Sequence, residues 1–331
     1  MYALGSFRYE AGTPFPGLVL GAPQTGSLEQ PELCTVVDLS GYGWASTDSV
    51  LRNWVKAQPV LDSIASGGGG VPLRRLLTLL PYTPGQILQS GANYRRHVID
   101  LIVAEELQKG AMSRNDAEAM GARIMDQRAE AGEPYIFLGS ATALCAANDP
   151  IVLPKRGCQH DWELELAAVI GTGGRYIAEA QALAHVAGYV IANDLTTRDL
   201  VYRPDLTAIG SDWLRAKNAP TFLPLGPWVV PAKFIPNPQA LTVRLSLNGK
   251  LMQNESTADM IFDVARLISY ASSLVTLNPG DLILTGSPAG NGMHHHRFLA
   301  PGDKLKASIT GLGVQRNVCV SETGPELQAA L

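Results

Sequence analysis

Charge is scarce in this chain. Only 17% of its residues are charged and the formal net charge is −4, so it lacks the basic face that a nucleic-acid binder needs. The doublets Arg74-Arg75 and Arg95-Arg96 are too small to supply one. No run approaches the ~18 consecutive apolar residues that would span a bilayer, so neither nucleic acid nor membrane is expected as a partner. The first residues, MYALGSFRYE, contain no basic segment followed by an apolar stretch, and no signal peptide is expected. The four cysteines, Cys34, Cys145, Cys158 and Cys319, are scattered. No pair has metal-ligand spacing and nothing requires a disulfide; each reads as a small buried hydrophobe. A soluble, cytoplasmic protein is the expectation.

What the chain does hold is apolar material. With 331 residues, 46% of them hydrophobic, it can bury a sizeable core as one large domain or two ordinary ones. Residues 1 to about 40 read as short strands broken by Gly and Pro, as in a small β-rich unit. Asp48 is placed to cap a helix whose stripe is Val50, Leu51, Trp54, Val55, Val60 and Leu61, with Pro59 expected to end or kink it. The run Ser66-Gly-Gly-Gly-Gly70 reads as a flexible break. It divides a small N-terminal β-rich domain, residues 1–70, from a larger domain, residues 71–331.

Beyond it, LLTLLPYTPGQILQSGANYRRHVID reads as strand, turn, strand, then a helix or loop carrying His97. Residues 101–132 read as helical, with Ser113 or Asn115 as cap, and as too polar for the core. From 150 onward strands dominate: IVLP, WELELAAVIG, YVIANDL, and a hairpin over LTVRLSLNGKLMQ in which Asn248-Gly249 suits a type I′ turn. Helices are expected over EAQALAHVAG and near 260–273. NPGDLILTGSP and APGDKLKASITG repeat a Pro-Gly-Asp turn ahead of a strand. This is a β-rich α+β pattern, not an alternating βαβ one.

The stretch DWELEL, Asp161 to Leu166, raises a chemical question. On an extended strand Glu163 and Glu165 share one face, roughly 7 Å apart, while Trp162, Leu164 and Leu166 share the other. Such a strand either turns a polar face to water or builds a cation site in which two like charges are tolerated. Asp194, at the end of the apolar run GYVIANDL, adds a third oxygen donor. Three carboxylates make a hard-cation set suited to Mg2+, with Mn2+ or Ca2+ alternatives, and leave positions for substrate. Other apparent motifs fall away. Gly171-Thr-Gly-Gly174 fails the dinucleotide fingerprint because Tyr176 holds its last position. Ser287 lacks the flanks of a nucleophile elbow. His294, His295 and His296 are adjacent, cannot all face one ion, and read as a loop, with lining of the pocket as the alternative.

GANYRRH (91–97), DWELELAAVIG (161–171), GYVIANDLTTRD (188–199), RAKNAPTFLPLGPW (215–228), NGKLMQ with STADMIF (248–262) and NPGDLILTGSPAGNG (278–292) stand in the order and spacing of the fumarylacetoacetate hydrolase family, which the chain resembles over about residues 78–315. The first 70 residues resemble the variable small β domain that many members carry. The resemblance implies a mixed β-roll or sandwich catalytic domain and a homodimer. It implies that Glu163, Glu165 and Asp194 bind Mg2+ or Mn2+, and that His97 is a general base oriented by Asp100, where many members have glutamate. It implies that Lys217 steadies developing negative charge, and that Arg198, Tyr202, Thr285 and Gly286 contact substrate or support the site. Two departures concern substrate identity: Val201-Tyr202 where members often carry Gln, and Leu138-Gly139 where many carry Lys-Pro.

The activity so implied is hydrolysis of a carbon–carbon bond in a 1,3-diketo acid such as an acylpyruvate or a fumarylacetoacetate-like acid, through a metal-stabilised enolate. The same site could decarboxylate an oxaloacetate-like β-keto acid, or isomerise or hydrate a dienoate, with no water attacking a carbonyl. A non-catalytic binder of small acids is a third reading, opposed by the three carboxylates and Lys217. The helical segment 101–132 either closes over the site or serves as a surface or oligomer contact.

Overall fold

The computed structural model describes residues 1–22, 27–110 and 112–323. Residue 111, inside the stretch expected to be helical, and 324–331, at the end of the expected larger domain, lie outside them. The N-terminal unit is an antiparallel sheet in the order Val71–Pro72, Thr35–Asp38, Phe15–Leu20, Tyr2–Arg8, Leu77–Thr78. Its sheet therefore runs past the boundary expected at residue 70. Gly68, Gly69 and Gly70 take φ of 63°, 93° and 90° and carry the chain back into the same sheet. A Cβ at Gly70 would meet the Val36 carbonyl oxygen at 2.5 Å, so this run makes a close return that only glycine allows.

Two helical segments cover the unit, Thr47–Arg52 and Trp54–Gly67. The cap is Ser46, not Asp48. Ser46 is extended, its hydroxyl accepts from Ser49 N, and Ser49 answers from its own side chain, a reciprocal capping box. Asp48 sits inside the first turn and accepts from Thr83 N. Pro59 does not end the helix, which runs through it to Gly67. Its ring lies on the exposed side, where water can reach the carbonyl that loses its partner.

The body is an eight-stranded mixed sheet facing a five-stranded one. The larger runs Tyr135–Leu138, Ile87–Gly91, Leu282–Leu284, Leu164–Ile170, Val186–Asn193, Leu223–Leu225, Leu144–Ala146, with Val230–Pro231 also pairing with Val186–Asn193. Every residue of Leu164–Ile170 and of Val186–Asn193 is buried, as in central strands covered on both faces. The smaller sheet runs Lys250–Ser256, Thr242–Leu247, Lys304–Ile309, Gly313–Ser321, Ile151–Leu153. Its inward residues, among them Val243, Leu245 and Leu305, share one core with Leu164, Leu166 and Trp162. A second core joins Tyr2, Leu4 and Leu61 to Ala167, Val169 and Leu282, so the N-terminal unit packs directly on the body. The fold is α+β and strand-rich, as expected.

Local expectations hold in several places. Asn248 and Gly249 take φ of 51° and 83°, the positive pair a type I′ turn requires. Both Pro-Gly-Asp turns place a positive φ at their glycine, Gly280 and Gly302. In each, the aspartate accepts from the backbone N–H three residues before it, Asn278 N to Asp281 Oδ2 at 2.7 Å and Ala300 N to Asp303 Oδ2 at 2.8 Å. Arg95–Lys109 and Arg114–Ala131 are helices, the second capped by Ser113. They form a small core of their own from Ile99, Val103, Ala117 and Met125. Among the described residues no helix is long and apolar enough to cross a membrane.

Candidate metal centre and catalytic site

The strand containing Glu165 begins at Leu164, so Glu163 stands just ahead of it and Asp194 just after Val186–Asn193. The two strands are antiparallel, with Leu164 opposite Asn193 and Glu165 opposite Ala192. That register brings the start of one strand to the end of the other and gathers three carboxylates from distant points in the chain. Glu163, Glu165 and Asp194 are 7%, 1% and 1% exposed, and each offers an oxygen within 4.8 Å of the others. The reading of DWELEL as a strand with a solvated polar face is thereby excluded: Trp162, Glu163, Leu164, Glu165 and Leu166 are all buried.

Two buried cations answer these acids. Lys217 ends the short helix Trp213–Lys217, which Asp212 caps. Its Nζ donates to Glu163 Oε2 at 2.6 Å, Asp194 Oδ2 at 2.6 Å and the Asp194 carbonyl at 3.0 Å. All three ammonium hydrogens are thus committed. Arg198 pairs with Glu163 and, through Nε at 2.9 Å, with Asp161 Oδ2. Gln89 Nε2 donates to Asp194 Oδ1 at 2.5 Å and the Gly286 N–H to Glu165 Oε2 at 2.7 Å.

The charge count is informative. Asp161, Glu163, Glu165 and Asp194 are buried with Lys217 and Arg198, four negative groups against two positive ones, leaving two negative charges uncompensated. Buried charge of that kind is costly unless it is neutralised. Burial, then the neighbouring Asp194 charge, raises the Glu165 carboxyl well above its ordinary range. Burial lifts Asp194 to about 6, with Lys217 opposing and Glu163 reinforcing the rise. Burial also works to raise Glu163, but Arg198 and Lys217 outweigh it and hold that group at about 2. Protons thus stand in for a missing positive charge. Three buried oxygen donors with two charges to spare fit a hard divalent cation.

His97 lies in the first turn of Arg95–Lys109. It is 6% exposed and its Nδ1 is buried without a hydrogen-bond partner. Burial pushes its pKa down to about 3 against the opposing pull of Glu163, so the imidazole is neutral. The expected Asp100–His97 pair is not formed. Asp100 lies 3.0 Å from Arg96 Nε and 3.0 Å from His294 Nε2. The His294 ring stands beside His97, 5.5 Å between centroids. The shorter arm of aspartate, compared with glutamate, favours that nearer partner.

The remaining expected site residues divide. Arg198 is inside the cluster. The Thr285 hydroxyl donates to the Leu166 carbonyl at 2.8 Å and braces the strands, and Gly286 at φ 87° turns its N–H onto Glu165. Tyr202 is 75% exposed and takes no part in the cluster. Three residues were given no catalytic or metal role from sequence. Asp161 stood in the quoted hexapeptide, and its place beside two glutamates was the available signal. His294 stood in the histidine run. Gln89, within the apolar strand ILQSG, offered only the oddity of a long amide in a buried strand.

A family model described as the C-terminal region of fumarylacetoacetate hydrolase matches residues 86–320. The chain belongs to the fumarylacetoacetate hydrolase family. Among relatives, it is 42% identical over 187 residues to a 2,4-didehydro-3-deoxy-L-rhamnonate hydrolase of Sphingomonas sp. (strain SKA58), an alignment covering 56% of this chain and 64% of that protein. The chain thus matches slightly under two thirds of that relative's length. Among solved structures, it is 27% identical to a 2-hydroxyhepta-2,4-diene-1,7-dioate isomerase of Mycobacterium marinum, with TM-score 0.68 over 98% of this chain and 100% of that one. A fumarylacetoacetate hydrolase of Exiguobacterium antarcticum is also 27% identical, with TM-score 0.70 over 97% of this chain and 100% of that one. Within this family the chain is an enzyme, a hydrolase or an isomerase.

Proposed function

We propose that this fumarylacetoacetate hydrolase family member is an Mg2+- or Mn2+-dependent hydrolase that cleaves a carbon–carbon bond in a 1,3-diketo acid of the acylpyruvate type. The observation that carries the reading is the buried neutral His97 beside a carboxylate triad that, with Asp161, leaves the cluster two positive charges short. The relative named for a 2,4-didehydro-3-deoxy acid adds support, since that name describes an acid with two oxo groups flanking one methylene.

Glu163, Glu165 and Asp194 would hold the cation, which supplies positive charge to steady an enolate. The chain's own residues do the rest. His97, neutral and with a free ring nitrogen, takes the proton of a water that attacks the distal carbonyl, then returns it to the carbon of the leaving fragment. Lys217 and Arg198 hold Glu163 and Asp194 in place. Burial of the whole cluster excludes bulk water and strengthens each of these interactions.

A second reading is isomerisation of a dienoate, or decarboxylation of an oxaloacetate-like acid, on the same residues. It is favoured by the missing His97–Asp100 bond, because moving a proton at carbon asks less of the base than activating water does. Turnover of acylpyruvates, hydroxydienoates and oxaloacetate, with and without Mg2+, separates the readings by loss of enol absorbance. Cleavage of an acylpyruvate that disappears in His97→Ala supports hydrolysis. Isomerase or decarboxylase activity alone would replace it with the second reading.

A further inference from the structure

The short helix Gly292–His295 has no evident reason to lie against the site, yet it is fastened there from within. Asp161 accepts from Gly292 N and, at 3.3 Å, from Met293 N, while its other contact is Arg198 Nε at 2.9 Å. Arg198 in turn holds Glu163. Gly292 admits no side chain, since a Cβ would stand 2.6 Å from Asp161 Oδ1 and 2.3 Å from the Arg297 carbonyl. The helix is therefore set by a buried carboxylate that also organises the acidic cluster, and the side chain it delivers toward His97 is His294.

The His294 ring is fixed at both ends. Nε2 carries the one N–H of the neutral ring and lies 3.0 Å from Asp100 Oδ2, while Nδ1 lies 2.8 Å from the side-chain amide of Asn291, whose NH2 is otherwise without a partner. Asp100 is itself tethered to Arg96 at 3.0 Å. His97 has no such bond at Nδ1; the ring beside it, at 5.5 Å and 33°, is that of His294. A catalytic imidazole is ordinarily oriented by a carboxylate bonded to one nitrogen. Here the carboxylate is present but bonded to a second imidazole, which packs on the first.

We propose that His294 is the positioning residue of His97, and that Asp100 acts on His97 only through it. The inference deepens the assignment of His97 as base and rests on it. Hydrogen bonds fix the His294 ring, and ring-to-ring packing passes that orientation to His97.

The test is a double-mutant cycle on Asp100→Asn and His294→Ala, with His294→Gln as the conservative variant. Removing an outer partner of a functional side chain commonly costs about 10–100-fold. His294→Ala is expected to lower kcat by about tenfold or more, with KM and the Mg2+ affinity measured by calorimetry unchanged. His294→Gln, which can still span Asp100 and Asn291, recovers part of that loss. Asp100→Asn lowers kcat in the parent and adds nothing in the His294→Ala background. An equal further loss from Asp100→Asn in that background would overturn the proposal, as would an unchanged kcat in His294→Ala. A second measurement needs no turnover. The 15N resonances of the His97 ring should move on Asp100→Asn when His294 is present and stay still when it is absent; movement in both backgrounds would also overturn it. A parent that cleaves no diketo acid would defeat the reaction assigned above and leave this ring coupling to stand or fall on the resonances.

Discussion

Replacing Lys217 by methionine tests the charge count at its most exposed point. The substitution keeps an unbranched side chain one atom shorter and removes one of two cations from a cluster with four buried carboxylates. It breaks three hydrogen bonds of 2.6, 2.6 and 3.0 Å and raises the uncompensated negative charge from two to three. Removing one partner of a buried pair costs about 3–5 kcal/mol, roughly a 10²–10⁴-fold loss in the ratio of folded to unfolded protein at 1.36 kcal/mol per tenfold. Chemical unfolding of the cation-free protein in urea should show that loss. Saturating Mg2+ should return much of it, since a ligand at 100 times its Kd stabilises by about 2.7 kcal/mol. The sign of the affinity change discriminates further. If the cluster is a cation site short of positive charge, Lys217→Met binds Mg2+ at least as tightly as the parent, even as turnover falls. A variant that unfolds like the parent without cation, or that loses Mg2+ binding altogether, refutes the charge count.

Other perturbations read different parts of the site. Asp194, at about 6, and Glu165, raised well above its ordinary range by burial and the Asp194 charge, bind protons more tightly folded than in an unfolded chain, where such groups titrate near 4. The Asp194 contribution to cation-free stability is full below about pH 4 and is lost as pH rises through about 6, and that of Glu165 has the same sign; Mg2+ should remove that decline, because binding needs the ionised carboxylates. His97, lowered to about 3, gains stability over the same window, so the parent is compared with Asp194→Asn, in which that opposing titration stays in place; a parent melting temperature that does not fall relative to the variant between about pH 4.5 and 6.5 counts against the raised carboxyls. Gly286→Ala forces a Cβ to 3.0 Å from Asn93 Cβ at φ 87°, moving the N–H that holds Glu165; Mg2+ affinity by calorimetry should drop, and an unchanged titration would separate that N–H from the site. Tyr202→Ala should leave kcat within about twofold, given its exposure of 75% and the small effect of most surface changes; a large loss would bring Tyr202 back to the substrate.

What could be read from sequence followed short-range rules. The Asn248-Gly249 turn, the two Pro-Gly-Asp turns and the Ser113 cap each depend on a few neighbouring residues, and each appears where the pattern placed it. Asp48 misled because two hydroxyls within the same turn, Ser46 and Ser49, satisfy one another first. Pro59 does not end its helix, because its cost depends on which face of the helix meets water. In the site, the triad was legible because strand ends and apolar runs announce themselves. The partners of Asp100 were not, since spacing of three residues on a helix puts Asp100 near His97 without saying which imidazole from elsewhere arrives nearer. Gln89 was silent for the same reason: its partner Asp194 follows a strand three places away in the sheet.

The non-local contacts explain why the acids and the imidazoles form one unit. Asp161 is fully buried, and burial, with Glu163 reinforcing and Arg198 opposing, raises its carboxyl above the ordinary range. Such a group is an expensive element to retain unless its contacts are needed. Its contacts run to Arg198 on one side and to the Gly292–His295 helix on the other. Arg198 fixes Glu163, and the helix carries His294 to His97. One buried carboxylate therefore links the acidic cluster to His97, the base proposed above. A reaction that develops an enolate at one and removes a proton at the other depends on their relative placement, which gives Asp161 a reason to be buried that the charge of the cluster alone does not.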